Sequence, residues 1–147
     1  MFDFIKIREV PKTSWSSEET FNLKPRLKTL IALVVGLILF GLGEALLVTS
    51  QIGVSPWTAL GQGLANVSEL GLGLTTFLIS VFVLFLWIPL KQKPGIGTVL
   101  NAIIISLVLH FAIPFLPIFE ENFLRLTQAM LGVFITGIGG GIYLIAN

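Results

Sequence analysis

The chain of 147 residues has no cysteine, one histidine and only 12% charged residues. Without cysteine there are no disulfides, thiolate nucleophiles or Cys-ligated zinc or iron–sulfur centres. One histidine cannot build a histidine-rich metal site, so no metal and no other cofactor is expected. The formal net charge is +1, which removes the electrostatic case for nucleic acid, whose binding needs clustered Lys and Arg. The few charges are unevenly placed: six of the nine basic and four of the eight acidic residues precede Thr29. A water-exposed domain carries about a quarter charged residues. Beyond Lys28 the composition is instead that of a membrane-embedded chain.

The sequence is 54% hydrophobic, and the apolar residues come in long runs. About 20 apolar residues at 1.5 Å each cover a hydrocarbon core of roughly 30 Å. Four runs meet that length, over about 30–50, 70–90, 96–118 and 126–146. The expected fold is therefore all-α, a polytopic transmembrane bundle of about four spanning helices occupying 29–147. Residues 1–28 read as a polar cytoplasmic tail, with no short apolar core and small-residue cleavage site of a signal peptide. In the third run Thr98 is expected to cap the helix, and Pro114 and Pro117 to kink or end it.

The segment 51–70 (QIGVSPWTALGQGLANVSEL) is too polar and too short to span comfortably. Ser55 followed by Pro56 marks a helix start, because serine accepts a hydrogen bond at the N-cap and proline at the first position loses no needed donor. Over 55–68 the stripe Ala59, Leu60, Gly63, Leu64, Val67 opposes Thr58, Gln62, Asn66 and Glu69, predicting a two-faced helix. The positive-inside rule places Lys24, Arg26 and Lys28, and also Lys91 and Lys93, in the cytoplasm. An even number of crossings must lie between them, so this helix should re-enter or lie at the interface rather than cross. Glu69, Glu120 and Glu121 then face outward, giving a multi-pass protein with a cytoplasmic N-terminus.

Shifting the chain by 96 residues aligns GLILFGLGEALLVTSQ, 36–51, with GVFITGIGGGIYLIAN, 132–147, without a gap. Gly36, Gly41 and Gly43 fall on Gly132, Gly137 and Gly139, and the aliphatic positions between them agree in type. The unit contains an odd number of crossings, so the reading is a partial inverted-topology repeat, an architecture of secondary transporters. The second copy stops before its equivalent of Gly53-Val54-Ser55-Pro56-Trp57. A fragment, a shortened product, or a homodimer or membrane partner supplying the missing half is expected.

These residues, GLGEALLVTSQIGVSPWTALGQGL followed by KPGIGTVLNAIIISLVLH, resemble the YczE/YitT-like bacterial integral membrane proteins from about Arg26 to Ala146. The most specific pieces are Gly53-x-Ser55-Pro56-Trp57 and Pro94-Gly95-x-Gly97-Thr98 with Asn101. The resemblance implies a polytopic protein of the bacterial plasma (inner) membrane, usually longer, with no settled activity. It also implies acidic residues where this chain has Thr58 and His110.

Candidate chemistry starts from Glu44, since a carboxylate inside a span must be neutralised, paired or wetted. The amide groups after Ser55 offer a helix N-terminus at membrane depth, suited to an anion or a carbonyl. Trp57, Thr58, Gln62, Asn101 and His110 complete the candidate substrate-binding set, with His110 a relay or a partner for Glu44. The rows Ala32/Gly36, Gly41/Ala45, Gly132/Thr136/Gly140 and Gly137/Gly141 have small-xxx-small spacing and predict close helix packing. Gly53-Val54-Ser55 with a distant His110 falls short of an intramembrane serine protease, because proline follows the serine and no second glycine completes the motif. No enzyme activity is expected. The expected function is a small-solute permease or channel-like protein with its site between the re-entrant helix and Glu44; the competing reading is a membrane accessory protein acting through helix partners.

Overall fold

The computed structural model describes residues 13–16, 25–92 and 94–146; most of the expected tail, including Lys24, and also Lys93 and Asn147, lie outside the described residues. Among the described residues all regular structure is helical: α1 Leu27–Ser50, α2 Pro56–Ser68, α3 Leu72–Trp87, α4 Ile96–Ala112 and α5 Asn122–Ala146. The bundle is a polytopic helical membrane fold. α1, α5 and α4 with its 3-10 extension Ile113–Phe115 are each long and apolar enough to cross a bilayer. α2 and α3 form a bent pair whose axes turn by 112°, a broken span or re-entrant loop, giving up to four crossings.

Helix boundaries follow from local chemistry. α1 stops where Gln51 takes a left-handed conformation at φ 56°, and α2 stops at Glu69 in the same way, at φ 58°. Neither stop uses the glycine usual at such a position. α2 starts as expected at Ser55, whose Oγ accepts the Thr58 amide at 3.3 Å, with Pro56 at the first helical position. α4 corrects the expected cap: Gly95 occupies the N-cap position without a side-chain hydrogen bond, and Thr98 is already inside the helix. Pro114 sits in the 3-10 turn that ends the third span.

α1 is the central helix, packed mainly on α5 and α4. Its Leu33, Leu37 and Ala45 form the buried core with Ile105 and Leu109 of α4 and Ala146 of α5. Between α1 and α5 the backbones come into direct contact: a Cβ built on Gly43 would lie 2.5 Å from Thr136 N and 2.7 Å from Gly132 O, and one on Gly36 2.8 Å from Tyr143 N. Such approach is open only to residues without side chains, and it recovers the dispersion energy that lipid cannot supply between helices. Gly73 does the same service between α3 and α4, where a Cβ would meet Ser106 O and His110 Cβ at 2.6 Å.

The carbonyls at the end of α1 are capped from α5. Arg125 donates from Nε to Ser50 O at 3.0 Å and from its terminal nitrogen to Gln51 O at 2.7 Å. A cation at a helix C-terminus also meets the negative end of the helix dipole. Arg125→Met is therefore expected to lower unfolding stability by about 1–2 kcal/mol, checked by thermal unfolding in detergent. A melting point unchanged from the parent would contradict this capping role.

Candidate functional site

After Ser50 the chain does not leave the bundle but doubles back. Ser55 lies level with Glu44, about 9 Å back from the end of α1 at 1.5 Å per residue, because its Oγ donates to Glu44 Oε2 at 2.8 Å. Thr58, one turn into α2, donates from Oγ1 to the same oxygen at 2.5 Å. The two hydroxyls are 3.1 Å apart. Glu44 is 2% exposed and Thr58 is equally buried. A carboxylate in the span is thus held by two charge-assisted hydrogen bonds at the positive end of α2.

The helix that carries these donors is turned inside out relative to a helix of a soluble protein. Thr58 and Gly61 face the protein, whereas Leu60, Leu64 and Val67 are exposed, as lipid rather than water surrounds the bundle. Gly61 lets α3 approach: Thr75 donates from Oγ1 to Gly61 O at 3.1 Å, and a Cβ at Gly61 would come within 3.0 Å of Thr76 Oγ1.

Beside Glu44 lies a cavity of about 260 Å³ lined by Phe40, Glu44, Ser55, Trp57, Thr58, Thr76, Ser80, Asn101, Ile105 and Leu109. Four helices and the turn before α2 therefore converge on it. Its walls combine aromatic faces, aliphatic side chains and a few polar groups, the usual make-up of a small-molecule site. Thr76 Oγ1 is buried in this wall with no hydrogen-bond partner among the described residues. Both bonds to Glu44 fall on Oε2, so Oε1 accepts none among the described residues. A second cavity of about 100 Å³ adjoins the first, sharing Trp57, Ser80 and Asn101 and continuing past Val83, Trp87 and Thr98. That direction leads toward the 88–95 loop, with Trp57 at the junction.

Of the residues singled out from sequence, Glu44, Ser55, Trp57, Thr58 and Asn101 line one cavity. Gln62 is not in its wall. His110 is also elsewhere: it is exposed, stacked edge-on against Phe111 at 5.0 Å, and lines an apolar groove with Gly73, Leu74 and Phe77. It does not pair with Glu44, whose partners are the two hydroxyls. Among the described residues no cluster of three or more potential metal ligands occurs. Sequence reasoning missed Phe40, Thr76 and Ser80. The two hydroxyls carried a signal: Thr76 and Ser80 stand one helical turn apart in an otherwise apolar run, a spacing that puts them on one face.

The family profile of a "Family of unknown function (DUF6198)" matches residues 27–147, the whole helical bundle. The chain belongs to DUF6198. A relative in Haemophilus influenzae, described as an uncharacterized protein, is 36% identical over 142 residues, 97% of this chain and 64% of that protein. The uncharacterized protein YyaS of Bacillus subtilis is 31% identical over 107 residues, 73% of this chain and 52% of its own. The uncharacterized membrane protein YczE of the same organism is 28% identical over 114 residues, 76% of this chain and 53% of its own. The likeness to YczE read from the motifs thus stands. This DUF6198 chain spans between about half and two thirds of the curated relatives it matches. No solved structure matches it.

Proposed function

We propose that the protein is a permease for a small solute in the bacterial inner membrane, with its N-terminus in the cytoplasm and its site in the cavity at Glu44. The carrying observation is the convergence of Glu44, Ser55, Thr58 and Asn101 on one cavity with a buried, unpartnered Thr76 hydroxyl. Broken or re-entrant helices that start beside a binding site are a recurrent device of membrane transporters. The adjoining space past Trp57 supports a route toward the Lys91 loop, which the positive-inside rule places in the cytoplasm.

The geometry also favours one charge type. A free helix N-terminus would attract an anion, but here the protein's own Glu44 already takes that place. A second anion would meet a carboxylate instead of free donors. The group left facing the cavity accepts a proton or a cation, and the Phe40 and Trp57 rings can add a cation–π contribution. The reading is therefore a small cationic solute or a proton-coupled one.

The test is uptake into proteoliposomes, with methylammonium as probe and an internal pH-sensitive dye. The parent protein should carry the cation or move protons with it. Glu44→Gln, which keeps the shape and one acceptor oxygen for the Ser55 and Thr58 hydroxyls, should lower the initial rate by about tenfold or more, the equivalent of one lost charge-assisted contact. Flux unaltered by Glu44→Gln removes Glu44 from the mechanism. No flux in the parent supports the accessory-protein reading instead.

A further inference from the structure

The contacts between α1 and α5 are reciprocal. Under the 96-residue shift Gly36, Phe40, Gly43 and Leu47 correspond to Gly132, Thr136, Gly139 and Tyr143. A Cβ on Gly36 would meet Tyr143 N at 2.8 Å and Gly139 O at 3.0 Å; one on Gly132 would meet Leu47 N at 3.2 Å and Gly43 O at 2.9 Å. Likewise Gly43 faces Gly132 O at 2.7 Å and Thr136 N, while Gly139 faces Gly36 O at 2.6 Å and Phe40 N. Each contact recurs with the two helices exchanged, down to the same backbone atoms. That is how two copies of one surface meet about a two-fold axis. Contact positions that rise along α1 fall along α5, so the helices are antiparallel and the axis lies across them.

The symmetry breaks at one place. Gly41 of α1 is covered by α4, with Val108 Cβ 2.9 Å from its would-be Cβ, whereas the matching Gly137 of α5 has nothing within 4 Å among the described residues. The neighbours behave alike: Leu37 and Ala45, both 0% exposed, pack in the core shared with α4, but their counterparts Val133, at 62%, and Gly141 are exposed. A face that α4 fills on one helix is bare on its twin. We propose that the Val133–Gly137–Gly141 face of α5 is the seat of a transmembrane helix of the α4 type, running opposite to α4 and belonging to a second repeat unit.

Three observations fix that occupant. The two-fold relation demands a helix related to α4 and inverted with respect to it. The small residues Gly137 and Gly141 repeat the spacing of Gly41 and Ala45 that admits α4. The curated relatives have the length for further helices, since a third to a half of each lies outside its match to this chain. A same-way-up copy of the whole chain does not qualify, because its α4 would run in the wrong direction and is already seated on its own α1. The inference does not depend on what solute the cavity takes.

The probe is a synthetic peptide with the sequence of residues 95–118 and Val108→Cys, reconstituted in nanodiscs with the full chain. The peptide inserts in both directions, so one population presents the inverted helix. With Gly137→Cys in the chain, mild oxidation should give several-fold more disulfide than Leu131→Cys, a position also exposed but on another side of α5. Equal yields at the two positions, or none at 137, overturn the proposal. As a second measurement, the unmodified peptide should raise the melting temperature of the parent chain and not of Gly137→Leu. A rise of the same size in both variants, or in neither, also overturns it.

Discussion

Gly43→Leu is expected to part α1 from α5 and to be among the most destabilising single substitutions in the bundle. Its new Cβ would stand 2.5 Å from Thr136 N and 2.7 Å from Gly132 O. Both are backbone atoms of a helix, which cannot rotate out of the way as a side chain can. Overpacking a rigid site costs about 1–3 kcal/mol, and more where the backbone must move, so a loss above roughly 3 kcal/mol is expected. At about 2–4 °C per kcal/mol for a chain of this size, the melting point should fall by about 6–12 °C. Gly137→Leu, on the open face of α5, is the matched control and should stay within about 0.5 kcal/mol of the parent. Heating detergent-solubilised protein and following the folded fraction by size-exclusion distinguishes the two. Equal melting points for Gly43→Leu and Gly137→Leu would show that the close α1–α5 contact does not hold the bundle together.

The second large effect concerns the hydroxyls around Glu44. Thr58→Val preserves shape and removes one of the two donors to a carboxylate that is 2% exposed. Hydrogen bonds to charged groups contribute about 1.5–3 kcal/mol each, and an orphaned buried acceptor adds its own desolvation cost. A loss of about 2–3 kcal/mol is therefore expected. The more telling variant carries Glu44→Leu as well. With no carboxylate left to satisfy, the missing hydroxyl should matter little, since replacing a whole buried polar pair is often neutral while breaking one is costly. The double-mutant cycle should return a coupling of about 1–3 kcal/mol. Additive effects of the two substitutions would mean that Thr58 stabilises α2 by some route other than Glu44.

The glycines on α1 and α5 were visible as a spaced pattern, yet only the crossing shows that Gly36, Gly43, Gly132 and Gly139 carry backbone contact while Gly137 is open. The pattern of small residues says that some face is smooth. It does not say which face has a neighbour. Gly73 had no spacing partner in the sequence reading, and its role appears only because α3 meets α4 there. The same limit applies to His110. Its distance along the chain from Glu44 was compatible with pairing, but α4 turns it outward, away from the cavity, while Asn101 two and a half turns earlier is turned inward.

The helix ends show a similar division. Ser55-Pro56 marks a start by chemistry that acts within one turn, and the start is found there. The stops at Gln51 and Glu69 use left-handed residues that are not glycine. Nothing local distinguishes these positions. The stop at Gln51 falls where the chain must turn for α2 to begin beside Glu44.

Composition and the spacing of apolar and charged residues suffice to make this chain a helical membrane protein, because the bilayer admits a narrow set of structures: each long uncharged run has to satisfy its own backbone hydrogen bonds as a helix. The same one-dimensional pattern picks out Glu44 and Ser55 as residues out of place in such a setting. That they touch, that Thr58 joins them and that Thr76 and Ser80 share the cavity wall were decided by the folding back of residues 51–55 and by the angle between α2 and α3. Those depend on contacts between residues far apart along the chain, and hydropathy, being local, carries no record of them.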